Sequence, residues 1–268
     1  MNITEKKKQQ AVHKFGEAAQ YYHQHADIQK QVANGLISSL NPWRDILPPG
    51  PILEVGCGTG FLTKQLVEMY PKRSIIVTDA SEKMLQFCKS ELQKSNCPLN
   101  NITFKVVEVN TGMTVESGQY AMVISNFVAQ WFDDTAMGLE RLGASIKKGG
   151  LLLCSFPGNQ SFSQWYERCL ELGLPFTANP LPDVEEVVIK LSTAPFQIDY
   201  YENDLQENFD SALAFFRHLK QMGASENVTG KSLNTKQFRL LLNHWDQQSK
   251  GKINIKWHIV YLAAKKDG

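Results

Sequence analysis

The chain has 268 residues, 43% of them hydrophobic, enough for one large core or for a core with an appended cap. A formal net charge of +1 excludes a global electrostatic footprint for nucleic acid or an anionic membrane, and no apolar run approaches the ~20 residues of a membrane span. The five cysteines (Cys57, Cys88, Cys97, Cys154 and Cys169) contain no CxxC pair, so neither a disulfide framework nor a zinc site is expected. A cytoplasmic, reducing setting fits best, as does the charged opening MNITEKKKQQ, which reads as no secretory signal.

In chain order, residues 5 to about 40 read as two polar-faced helices ending near Asn41-Pro42. NPWRDILPPGP, with four prolines, is a loop that marks the start of the main core. Strand and helix then alternate. ILEVG (52–56) is an apolar strand, and TGFLTKQLVEMY (59–70) has helical spacing and stops before Pro71. SIIVTD (74–79) is a β-branched strand ending in an acid. SEKMLQFCKSELQK (81–94) is an amphipathic helix capped by Ser81. ITFKVVEV (102–109) is strand-like, and YAMVISNF (120–127) has the continuous apolar run of a central parallel strand. TAMGLERLGASIKKGG (135–150) reads as a helix closed by glycines, and LLLCSF (151–156) as a buried strand.

Beyond 157 the rhythm changes: helix (161–173), strand (195–203), helices (210–224 and 234–248), then an alternating strand, INIKWHIVYLAAKK (253–266). The alternation predicts an α/β fold with a doubly wound, mostly parallel sheet. The expected divisions are an N-terminal helical lid (1–45), a Rossmann-like core (46–159), cap elements on the same sheet (160–250) and a final strand (251–268).

The segment Leu53-Glu54-Val55-Gly56-Cys57-Gly58-Thr59-Gly60 carries the chemistry. Glycines at a strand-to-helix turn let the backbone bend and let a ligand approach closely. A dinucleotide fingerprint wants its third glycine three residues after the second, where Phe61 stands; here it is Gly60, two residues on. Glu54 would repel a pyrophosphate and attract an ammonium group. Both features argue against a nicotinamide dehydrogenase. Asp79, nineteen residues past Gly60, can accept both ribose hydroxyls. Ala80 adjoins it, and Met84 follows within one helical turn of Ser81, placed to cover an adenine face. Glu108, beside Val109, ends the third strand and can take an exocyclic amine; Asn126 ends the fourth. Each residue alone has a plainer reading as turn, helix cap or core. Their order at the ends of successive strands makes the combination specific.

The set resembles the class I S-adenosylmethionine methyltransferases. A closer resemblance lies in Phe15-Gly16, Ala18-Ala19, Tyr22, His25-Ala26 and Ile28-Gln29, in Ser125 to Trp131, in Ala212-Leu213 through Arg217, Leu219-Lys220 and Gly223-Ala224, and in Trp257-His258. This pattern, spanning nearly the whole chain, is similar to the malonyl-[acyl-carrier protein] O-methyltransferases of biotin synthesis. Glu54 and Glu108 stand where many members carry aspartate, which keeps the charge.

The resemblance implies a seven-stranded sheet, S-adenosyl-L-methionine as methyl donor with S-adenosyl-L-homocysteine as product, and methylation of the free carboxylate of a malonyl thioester on carrier protein or CoA. Another small carboxylic acid or amine is the alternative substrate. A malonyl carboxylate is ionised at neutral pH, so no general base is expected; positioning and water exclusion are. On this reading the N-terminal helix folds over the cofactor. Tyr21, Tyr22, His25, Gln130, Trp131, Arg217 and Lys220 contact substrate, with Arg217 as a carboxylate fork. Lys147, Lys148, Lys220, Lys231 and Lys236 are candidates for steering an acidic carrier protein. His13, His23, His218, His244 and His258 receive no role.

Overall fold

A computed structural model describes residues 3–110 and 117–267. Seven strands form one sheet in the order β3-β2-β1-β4-β5-β7-β6. These are β1 (Ile52–Val55), β2 (Ile75–Asp79), β3 (Ile102–Val106), β4 (Tyr120–Asn126), β5 (Ile146–Pro157), β6 (Phe196–Phe209) and β7 (Ile253–Lys266). The first five pair in parallel; β7 runs antiparallel between β5 and β6.

Alternation along the central strands splits the core in two. Ile52, Met122, Ile124, Leu151 and Leu153 face one side; there they meet α3 (Asp27–Ser38), α4 (Phe61–Met69) and α5 (Glu82–Lys94). The same core takes in α7 (Ser163–Glu171), α9 (Ala212–Gln221) and α10 (Thr235–Gln248). Leu53, Val123, Leu152 and Cys154 point the other way, onto α6 (Thr135–Ala144) and α8 (Val184–Ser192). Strands buried on both faces read as unbroken apolar runs. Among the described residues, no helix is long and apolar enough to cross a membrane.

Four expectations need correction. The N-terminal segment is three helices, not two: α1 (Ile3–Glu17), α2 (Ala19–His25) and α3, broken at Ala18 and Ala26. Alanine is no stop signal, so local propensity hides both breaks. The helix read over 135–150 ends at Ala144, and residues 146–150 open β5 instead, with Gly149 at φ +73°. Strand β3 stops at Val106, which leaves Glu108 in the following loop. Helix α8 was not expected. Its N-cap is Asp183, whose Oδ1 accepts the Glu186 amide at 3.1 Å.

Candidate active site

The parallel strands end at one edge of the sheet, and the turns leaving β1 and β2 meet there. Asp79 joins them: Gly58 N donates to its Oδ2 at 2.9 Å and Ser81 N to its Oδ1 at 2.8 Å. Burial pushes the Asp79 carboxyl up, opposed by amides of Ser81, Gly58 and Ala80. Ser81 in turn caps α5, accepting the Met84 amide at 3.4 Å.

The three glycines of the turn have different duties. Gly56 and Gly58 line a cleft with Asp79. Gly58 takes φ +53°, and a Cβ there would meet only the Tyr22 ring at 4.0 Å, on the side a ligand would use. Gly60 does not line the cleft; it opens α4 at φ +95°, and a Cβ would sit 2.8 Å from Cys88 Sγ. Its hydrogen atom lets α4 and α5 close together. Cys57 is likewise buried away from the cleft.

Glu54 is 1% exposed and lies behind the turn rather than in the cleft wall. Burial pushes its carboxyl up to about 8; a hydrogen bond from Thr63 opposes this and the Asp79 charge adds to it. Its Oε2 has no hydrogen-bond partner. A cation or donor from outside the chain would satisfy this atom.

Ala80, Met84, Glu108, Val109 and Asn126 also line this cleft. Glu108 Oε2 accepts from Asn110 N at 3.1 Å. Asn126 Nδ2 donates to Gln29 O at 3.0 Å and its Oδ1 accepts from Ser155 Oγ at 2.7 Å, which ties α3 to the β4–β5 pair. The far wall is α1, through Lys8, Ala11, Val12 and Phe15. Lys8 bonds Asp133 and, at 3.2 Å, Trp131 O. The sequence reading put a helix over this site without specifying these side chains, because α1 reaches the cleft only through long-range packing.

A second cleft of about 320 Å³ adjoins the first. Phe15, Tyr22, Phe127 and Trp131 line both and form the partition between them. The Phe15 and Trp131 rings meet edge-on, with centroids 5.4 Å apart. Phe127 holds φ +58° and Phe162, further along the wall, +62°. Such strain in bulky residues gathers at functional sites. Gln29 and Gln130 supply polar wall, and Gln130 Oε1 is a buried acceptor without a partner. Burial, then the Asp79 charge, push the Tyr22 hydroxyl up, so it stays neutral.

Tyr22, Gln130 and Trp131 therefore come together, whereas other expected substrate contacts do not. Arg217 and Lys220 are exposed and line neither cleft; α9 turns Phe216, His218 and Leu219 inward instead, followed by Met222 at its C-cap. Three-residue spacing put the two cations on one face, and that face is the solvent side. The Tyr21 and His25 rings meet at a tilt of 33° with centroids 4.2 Å apart, but also stand outside the cleft lining. Lys147 and Lys148 open β5 and so lie at the sheet edge opposite the clefts. Glu207, His218 and Trp257 line the second cleft and were not singled out as contacts. They arrive from β6, α9 and β7, and no local pattern links them. Among the described residues, no three His, Cys, Asp or Glu side chains group to hold a metal ion.

The orphaned acid behind a Cβ-free turn, the strand-end carboxylate and the Met84 side chain fit a nucleoside carrying an ammonium group. Residues 52–150 match the family described as "Methyltransferase domain". Magnesium protoporphyrin IX methyltransferase from Synechocystis PCC 6803, solved with bound SAH, superimposes with a TM-score of 0.55 at 14% identity, covering 89% of this chain and 83% of that one. The chain is thus a class I S-adenosylmethionine-dependent methyltransferase. It is 32% identical over 213 residues to the malonyl-[acyl-carrier protein] O-methyltransferase of Magnetococcus marinus, covering 79% of this chain and 76% of that protein. It is also 31% identical over 237 residues to the biotin biosynthesis bifunctional protein BioCD of Bordetella avium, covering 88% of this chain and 48% of that protein. The chain belongs to the malonyl-[acyl-carrier protein] O-methyltransferase family.

Proposed function

We propose that the protein methylates the free carboxylate of a malonyl thioester, borne by acyl carrier protein, in the pimelate branch of biotin synthesis. The observation that carries this reading is the pair of clefts joined at Tyr22 and Trp131: one fits the methyl donor, and the other is a mainly apolar chamber with polar groups in its wall, suited to an acyl thioester. S-adenosylmethionine supplies an electrophilic methyl group on sulfur. Asp79 would hold its ribose, Met84 and Val109 its adenine, Glu108 an exocyclic amine, and Glu54 its ammonium through the turn.

The remaining work belongs to the walls. The nucleophile arrives already ionised, so no side chain need remove a proton. Tyr22, Gln130 and the aromatic partition align the carboxylate with the methyl and keep water out. Residues 1–45 act as the lid and 160–250 as the substrate cover. The exposed Arg217, Lys220, Lys231 and Lys236 suit an acidic carrier better than a buried carboxylate. Five free cysteines agree with a cytoplasmic setting.

The test is methyl-ester formation by purified protein from labelled S-adenosylmethionine. Malonyl-carrier protein and malonyl-CoA are offered beside acetyl thioesters and free malonate. Transfer to the malonyl thioesters alone is expected. Transfer to free acids or amines, with none to the thioesters, would overturn the proposal.

A further inference from the structure

One cluster in the second cleft has no part in aligning the methyl group. Glu207 on β6 and His218 on α9 face each other, Oε1 to Nε2, at 3.5 Å. Trp257 on β7 donates its Nε1–H to Glu207 Oε2 at 2.9 Å. The Glu207 and His218 side chains are only 17% and 14% exposed, and all three residues line the cleft. The ring of Phe209 stands 5.3 Å and that of Tyr21 6.1 Å from the imidazole. From the N-terminal helices, His25 and Asp27 are the titratable groups facing it, and Asp27 acts on Glu207 as well.

Among the described residues, no lysine or arginine lines this cleft. Its other acid, Glu226, is already paired with Lys14. Burial holds the imidazole below its ordinary range and the Glu207 carboxyl above its own. Near neutrality the empty pair therefore has room for a proton. A carboxylate brought into a cleft without a fixed cation raises the proton affinity of the groups beside it.

We propose that the Glu207–His218 pair, fixed by Trp257, takes up a proton from water as the malonyl carboxylate binds and returns it once methylation has removed that charge. This rests on the malonyl reading above. The balance is complete: a carboxylate oxygen takes the methyl, the C–S electron pair stays on sulfur, and the carboxylate's negative and the sulfonium's positive charge vanish together, so ester and thioether leave neutral. The surplus proton on the pair then goes back to solvent. The cleft thereby distinguishes the acid it must bind from the ester it must release, a difference of one methyl group that shape alone separates weakly.

Calorimetry tests this. The enzyme is loaded with S-adenosylhomocysteine, so that no turnover occurs, and titrated with a malonyl thioester at pH 7.5 in buffers of different ionisation enthalpy. Uptake approaching one proton per site is expected for the acid and none for its methyl ester. KM for the malonyl thioester should rise about tenfold per pH unit above the pair's transition while kcat stays level. His218→Gln and Glu207→Gln should each lose the uptake and the slope and narrow the acid-to-ester affinity ratio, with S-adenosylhomocysteine binding confirming the fold. Absence of proton uptake in the parent enzyme overturns the inference even if a variant fails to fold, as does a slope that survives both substitutions. If the parent forms no methyl ester on a malonyl thioester, the functional reading itself has failed.

Discussion

Two carboxyls at the glycine turn, Glu54 and Asp79, behave differently for one physical reason: the partners their burial leaves them. Asp79 has amide donors on both oxygens, whereas one oxygen of Glu54 has none. Folding therefore keeps a proton on Glu54, pushed up to about 8 from an ordinary 4.5, that the unfolded chain has lost. That preference costs stability progressively as pH rises from about 4.5 to about 8 and levels off above. Glu54→Gln should flatten this part of a chemical-denaturation pH profile and be the more stable protein at pH 8. If an ammonium group satisfies Glu54, its binding releases the proton, so affinity for S-adenosylhomocysteine should strengthen with pH up to about 8 in the parent only. Asp79→Ala removes charge-assisted bonds worth about 1.5–3 kcal/mol each and should weaken that binding by about tenfold to a hundredfold, measured by titration. The sequence pattern singles out both acids as candidate ligand groups. That Glu54 stands behind the wall was not legible there, since depth along a strand depends on what covers it.

Helix α1 owes its place over the first cleft to close approaches at its C-terminal end. A Cβ on Gly16 would lie 2.5 Å from Ser81 Oγ at the start of α5. Gly223, just beyond α9 at φ +81°, would bring a Cβ to 2.9 Å from the Lys14 carbonyl and the Phe15 backbone. The helix is clamped between the two, with Phe15 forming part of the partition. Gly223→Ala adds both a backbone clash and left-handed strain, at a cost of about 1–3 kcal/mol. Urea unfolding should show that loss, and S-adenosylhomocysteine affinity should fall with it because α1 walls the cleft. An Ala224→Ser control nearby should do neither. A helical N-terminus was legible from spacing, but its breaks at Ala18 and Ala26 were not, because alanine suits a helix and carries no stop signal.

At the scale of the molecule, one sheet carries a core on each face, and the clefts sit where its parallel strands end. A ligand bound there links α1, the strand-end turns and the cap, so it should stabilise the chain as a unit. At one hundred times its Kd, S-adenosylhomocysteine adds about 2.7 kcal/mol, a rise of about 5–10 °C in Tm for a chain of this size. Differential scanning fluorimetry should show that rise, and none with NAD. The sequence by itself determined the α/β rhythm, the glycine turn with its acids and the cofactor class, because strand period, helix period and turn chemistry are local properties written over a few residues. Only the tertiary structure decided that Arg217 and Lys220 face solvent while Glu207, His218 and Trp257 share the wall of the second cleft. Those positions are set by the pairing of β6 with β7 and the rotation of α9 upon them, and packing energies between segments distant in the chain leave no periodic trace in either segment alone.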